Sequence, residues 1–271
     1  MIHFVTGLPR AGSTLLQQLL GQNEKNYATP TSGLVDLFIG CQRTWKQVEP
    51  FQAEGLTHIR KRVPNVMGGI LSGYFQDELN DGRTCFDKSR SWLGHIEDLR
   101  YALGREPKLL CLVRDVRAVL ASFERLYRRR DVSYDYLVDN DYYQSQSLVG
   151  RCNLMLRDTG PVGMAINRLR DALDRASDNC LIVPYEYFTA HPKESLNKIH
   201  DFLGLEDFEY NFQDVQQITS EDDTVYGLDL HTVAPKVIPA KSNSWTGILP
   251  DDLATDIAAK YKDICEMCPQ A

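Results

Sequence analysis

Short strand-like runs and helical stripes alternate along this chain. Residues 2–6, 84–88, 109–113 and 180–184 read as strands. Apolar residues at three- and four-residue spacing predict helices over 13–22, 92–103, 116–129, 161–176, 193–203 and 251–262. Leu15, Leu16, Leu19 and Leu20 share one face of the first helix, and Val116, Val119, Leu120, Phe123, Leu126 and Tyr127 form the stripe of the third. Pro192 and Gly204 bracket the fifth helix with the usual N-terminal Pro and C-terminal Gly. Strands alternating with helices predict an α/β fold: a three-layer sandwich with a central, mainly parallel sheet flanked by helices. We expect one domain over residues 1–271 with two irregular inserts, 131–160 and 206–247. The first is rich in Tyr (Tyr134, Tyr136, Tyr142, Tyr143) and the second has no clear period. Long aperiodic tracts serve as lids, binding loops or packing arms.

Composition narrows the function classes. With 43% hydrophobic and 25% charged residues, the chain can bury a core and is not disordered. A net charge of −7 gives no support for nucleic-acid binding or for reading long polyanions. Arg125, Arg128, Arg129 and Arg130 either complement a helix C-terminus or form a local basic rim. No apolar run reaches the length of a membrane span, and the first strand begins at residue 2, so we expect no anchor and a cytoplasmic location. The seven cysteines are scattered. Cys265 and Cys268 lack a second pair or a His pair, so no metal site is expected and the thiols are read as reduced.

The chemistry begins at residue 7. Gly7-Leu8-Pro9-Arg10-Ala11-Gly12-Ser13-Thr14 follows the first strand and opens a helix, in the Gly-x4-Gly frame of a phosphate loop. Such a turn lets backbone N–H groups converge on an anion, with a helix N-terminus behind them. Ser13, however, stands where a nucleotide hydrolase has Lys, and the loop's cation is Arg10. The cradle is kept while the point charge that reaches a γ-phosphate is gone. A second constellation lies at Arg114, at the end of the strand 109–113, where open α/β sheets bind ligands. Asp115 can cap the helix that follows, and Ser122 lies two turns along it, so Arg114 and Ser122 can reach one phosphate.

Together these residues resemble the sulfotransferase family, which uses 3′-phosphoadenylyl sulfate as donor and releases adenosine 3′,5′-bisphosphate. The likeness is to cytoplasmic bacterial or phage-like members, with some similarity to the tyrosylprotein enzymes. Gly7–Leu16 resembles the family's 5′-phosphosulfate loop, and Val113–Ser122 its 3′-phosphate motif. Leu181-Ile182-Val183-Pro184-Tyr185-Glu186 is similar to the strand before the adenine-contacting Tyr, here Tyr185, and Phe86-Asp87-Lys88 to the strand bearing the catalytic Lys. The resemblance implies donor contacts from Gly7, Pro9, Arg10, Ala11, Gly12, Ser13, Thr14, Arg114, Ser122 and Tyr185. It implies catalytic charge from Arg10 and Lys88, and a closing cation at Lys241. The acceptor is a small molecule, glycan or peptide carrying a hydroxyl or amine.

The base that would deprotonate the acceptor is left open. Cytosolic members carry His two residues after the Lys, where this chain has Arg90. Members acting on tyrosine or glycans carry Glu after the first helix, whereas Thr29-Pro30-Thr31-Ser32-Gly33 has no carboxylate. Asp36, His58, Asp87 and His95 are the remaining candidates, and Trp245 reads as core packing. Two alternatives stay beside the sulfotransferase reading: a P-loop kinase, and a nucleotide-binding protein without turnover.

Overall fold

The structure, a computed structural model, describes residues 1–129, 142–226 and 230–268. Arg130, Tyr134 and Tyr136 lie outside the described residues. Five parallel strands, β1 (Ile2–Gly7), β2 (Asn26–Thr31), β3 (Thr84–Lys88), β4 (Leu109–Val113) and β5 (Cys180–Pro184), form one sheet in the order β2-β3-β1-β4-β5. The four runs read as strands are β1, β3, β4 and β5. The fifth, β2, carries the sequence NYATPT, which has no apolar run and includes Pro30. It lies at the sheet's edge and pairs only with β3, so half of its backbone groups have no ladder partner there and Pro30 is tolerated.

Helix α1 (Ser13–Leu20) follows β1 directly. Between β2 and β3 come four helices that the sequence pattern did not predict: α2 (Leu34–Gln47), α3 (Glu49–Glu54), α4 (Leu56–Tyr74) and α5 (Gln76–Asn80). The expected helix 92–103 divides at His95 into a 3₁₀ turn, Arg90–Gly94, and α6 (Ile96–Leu103). Helix α7 (Val116–Arg128) buries the predicted stripe except for the half-buried Tyr127, and Asp115 accepts from Arg117 N at its start. In the first insert lie α8 (Tyr142–Ser145) and α9 (Leu148–Leu156), the latter capped by Ser147. Arg151 of α9 is buried, pairs with Glu124 of α7 at 2.8 Å, and lies 3.8 Å from the Tyr127 ring. This part of the insert is a packing arm. The chain continues through α10 (Pro161–Ala176), α11 (Tyr185–Ala190), α12 (Pro192–Leu203), α13 (Asp251–Lys260) and α14 (Lys262–Glu266). Pro192 opens α12, and Gly204 ends it at φ 71°.

Under the strand ends, Trp92 is fully buried and receives edge contacts from Phe4 at 5.0 Å and Phe38 at 5.4 Å. Each such ring stabilises the fold by roughly 1.5–3 kcal/mol through burial. The second insert, residues 206–247, is tied to α1 by a buried side chain. Gln18 Oε1 accepts from Ile218 N at 2.6 Å and Thr219 N at 3.0 Å, and its Nε2 donates to Thr219 Oγ1 at 2.7 Å. Ala240 N donates to Thr189 Oγ1 of α11. The insert thus crosses the carboxyl edge of the sheet, where β1, β3 and β4 present their loops.

Candidate active site at the carboxyl edge of the sheet

The loop after β1 is held in a shape few sequences adopt. Gly7 has φ 127°, and a Cβ there would lie 2.0 Å from Leu112 O of β4. Gly12 has φ 88°, and a Cβ there would lie 2.5 Å from Cδ2 of Tyr185. Between them Arg10 takes a left-handed φ of 59°, unfavourable for a non-glycine residue. Its carbonyl accepts from Arg114 Nη1 at 2.8 Å. Its guanidinium donates from Nε to Ser122 Oγ at 3.3 Å and from Nη1 to Leu230 O at 2.7 Å. Arg114 lies over the Tyr185 ring at 4.4 Å and faces Glu186 at 3.7 Å. The predicted loop, Arg114, Ser122 and Tyr185 therefore meet at one place.

These groups, Ser122 apart, open onto a cavity of about 490 Å³. Pro9, Arg10, Gly12, Ser13, Thr14, Lys88, Arg114 and Tyr185 line it, as do Arg90, Phe123 and the insert residues Leu230–Ala234, Lys236 and Ile238–Ala240. Gly7 and Ala11 support the loop from behind, where Ala11 is fully buried. The first turn of α1 has no acidic residue and no side-chain cap, so its N–H groups face the cavity without an internal anion of their own. That is a fit for a phosphate-bearing ligand.

Lys88, at the end of β3, donates from Nζ to Thr14 Oγ1 at 3.3 Å and to Glu221 Oε1 at 2.7 Å. Burial pushes the Lys88 ammonium below its ordinary value, against the pull of Glu221. Burial would raise the Glu221 carboxyl, but hydrogen bonds from Lys88 and Thr31 outweigh it and hold the group below the usual carboxylate range. Beside them, His231 Nδ1 lies 2.5 Å from Asp223 Oδ1, and its Nε2 lies 3.3 Å from Thr31 Oγ1. A carboxylate at Nδ1 selects the tautomer protonated there and leaves Nε2 as the accepting nitrogen.

None of the four residues held open as bases lines this cavity. Asp36 is exposed on α2, and His58 of α4 pairs with Glu54 of α3. His95 pairs with Asp98 at 2.7 Å. Asp87 is fully buried and accepts from Trp92 Nε1 at 2.6 Å. Burial pushes its carboxyl up to about 6, opposed by Trp92 and Ser32. Lys241 also lies away from the cavity, lining a small neighbouring pocket with Asp115 and Glu186, whereas Lys236 lines the cavity itself. Arg128 pairs with Glu124 and Arg125 donates to Ser244 O, which makes them helix-end cations rather than cavity groups. Trp245 packs against the core under Arg117, as expected. His231 and Lys236, which line the cavity, and Glu221 and Asp223, which pair with Lys88 and His231, were not singled out from the sequence; their only signal was the aperiodic tract that holds them.

The model of the Sulfotransferase family matches residues 3–210. The chain belongs to the sulfotransferase family. No curated protein sequence matches it. Its fold is similar to the sulfotransferase domain of the Synechococcus PCC 7002 olefin synthase, at 20% identity and a TM-score of 0.56, covering 96% of this chain and 94% of that one. It is also similar to the sulfotransferase domain of the curacin biosynthetic pathway, at 17% identity and a TM-score of 0.60, covering 100% and 98%. Retinol dehydratase in complex with retinol and PAP (adenosine 3′,5′-bisphosphate) aligns at 13% identity and a TM-score of 0.50, covering 100% of this chain and 82% of that one. These structures share the α/β fold. Among the described residues, no helix of this sulfotransferase is long and apolar enough to cross a membrane.

Proposed function

We propose that this chain, read as one sulfotransferase domain over residues 1–271, takes a sulfuryl group from 3′-phosphoadenylyl sulfate and gives it to a hydroxyl or amine acceptor by direct in-line displacement. The observation that carries the reading is the meeting of Arg10, Thr14, Lys88, Arg114 and Tyr185 in one cavity around an uncapped helix N-terminus. The loop N–H groups, Ser13 and Thr14 hold the 5′-phosphate. Arg114 and Ser122 take the 3′-phosphate, for which the planar guanidinium suits two parallel bonds. Tyr185 packs against the adenine. The acceptor oxygen or nitrogen attacks sulfur as the bond from sulfur to the bridging oxygen breaks, and PAP leaves. Arg10 and Lys88 stabilise the charge that gathers on the bridging and sulfuryl oxygens. His231, held by Asp223, accepts the acceptor's proton at Nε2. Lys236, rather than Lys241, is the cation of the insert that reaches the donor. The acceptor is a small molecule, glycan or peptide.

Ser13 in the lysine position argues against the kinase alternative, since no cation at the helix start reaches a γ-phosphate. The test is calorimetry and thermal shift with adenosine 3′,5′-bisphosphate, 5′-AMP and ATP-magnesium. PAP should bind and raise the melting temperature, 5′-AMP should bind far more weakly, and Arg114→Ala should lose roughly 10- to 100-fold of PAP affinity, the size of a charge-assisted contact to a phosphate. Indifference to the 3′-phosphate, or a preference for ATP-magnesium, would overturn the reading.

A further inference from the structure

A carboxylate holds the ammonium assigned above to the donor's sulfuryl group. Glu221 comes from the insert, yet its side chain is only 5% exposed, like that of Lys88. Oε1 accepts from Lys88 Nζ at 2.7 Å, from Thr31 N at 2.8 Å and from Thr31 Oγ1 at 3.0 Å. Oε2 lies 3.3 Å from His231 Nδ1. Three donor atoms from β2 and β3 thus converge on one carboxylate oxygen, at a Lys that also touches Thr14 of the loop. This is an anion site filled from within the chain.

Two anions cannot share one ammonium here at no cost. A sulfonate brought to Lys88 Nζ would stand within a few ångströms of Glu221, and little water reaches the pair to screen the repulsion. The geometry offers a way out: Thr31 N and Oγ1 remain as donors to a carboxylate that turns away from Nζ, so Glu221 can yield the Lys without leaving the site.

We infer that Glu221 is a competing anion: it holds Lys88 until the donor's sulfonate takes over that ammonium, and it thereby sets the donor's affinity. The inference rests on the donor assignment proposed above. Because the sulfonate is the group that reaches past the loop to Lys88, the competition falls harder on 3′-phosphoadenylyl sulfate than on PAP. A residue that only braced the insert would not tell the two nucleotides apart.

The test is calorimetric titration of the whole chain with each nucleotide, without acceptor. Glu221→Gln keeps the shape and an oxygen for Thr31 but removes the charge. It should bind 3′-phosphoadenylyl sulfate roughly tenfold more tightly than wild type, with a smaller gain for PAP. The gain should vanish when Lys88→Met is combined with it, as a double-mutant cycle requires of a direct competition. Glu221→Ala removes the charge by another route and should move the affinities the same way, which guards against a folding defect in either variant. If both variants bind the donor no better than wild type while PAP binding persists, the inference is overturned. If no form of the chain binds either nucleotide, the donor assignment itself has failed, and that outcome is distinct because wild type shares it.

Discussion

The cavity has two walls of different origin. One is the cradle: the loop between β1 and α1 with the start of α7, all within a few residues of a strand end. The other is the insert, which sends Glu221, Asp223, His231 and Lys236 back across the same edge. The cradle is local. Its glycines are required by φ values of 127° and 88° and by close approach to Leu112 and Tyr185, so its residue types carry a geometric meaning that spacing reveals. The insert's residues have meaning only through partners far along the chain: Gln18 for Thr219, Thr31 for Glu221 and His231, Lys88 for Glu221. On the proposed function, the phosphate cradle is read from residues beside strand ends, and the groups that would face the acceptor depend on long-range contact.

That division can be strained from both sides. The largest effect is expected at the junction. Lys88→Met should cut turnover on the order of 10³-fold, the cost of losing a charge aimed at the leaving group, measured by loss of 3′-phosphoadenylyl sulfate with a panel of phenols, alcohols and amines. On the insert side, His231→Gln should lower turnover by about 10²-fold with PAP affinity unchanged, the mark of a proton-transfer group rather than a donor contact. A matching loss of PAP affinity would move His231 into the cradle and blur the comparison.

Asp87 offers a pH test beneath the cradle. Its carboxyl is pushed up from 3.8 to about 6 by burial, so the folded chain binds a proton that the unfolded chain lacks within that window. Stability from this group is therefore present at low pH and is lost as pH rises through about 6. The displacement is worth at most about 3 kcal/mol. Asp87→Asn still accepts from Trp92 and should be the more stable form above pH 6, with the gap closing toward pH 4 in urea melts. Smallest is Gly12→Ala, which adds a methyl against the Tyr185 ring at a left-handed φ. It should cost about 1–2 kcal/mol by denaturant titration and weaken PAP binding.

The same division governs what could be read in advance. The strands β1, β3, β4 and β5 were legible because each opens or closes a helical segment and, Thr84–Lys88 apart, is rich in apolar residues. The edge strand β2 was not, because one free side lets it carry Asn26, Thr29 and Pro30. Helix α2 exposes Asp36, Leu37 and Gly40, which dilutes its apolar stripe, and α4 contains Pro64. In the site, Arg10, Arg114 and Ser122 were named from the loop and the strand end, and Lys88 and Tyr185 from the family resemblance. Lys241 was named from the family's closing basic segment, while the insert's cation that lines the cavity is Lys236, five positions earlier. Nothing in the spacing of Glu221 and His231 reveals that both end at Thr31.

The strand order also bears on synthesis. The central strand β1 is the first to be made, yet its neighbours β3 and β4 begin at residues 84 and 109. At roughly 5–20 residues per second, a ribosome takes several seconds to deliver them. During that interval the six residues of β1, with Ile2, Phe4 and Val5 among them, have no sheet to join. A slowly translated copy leaves this edge open longer, so its yield as soluble protein should depend on chaperone capacity and growth temperature more than a fold of short-range contacts would.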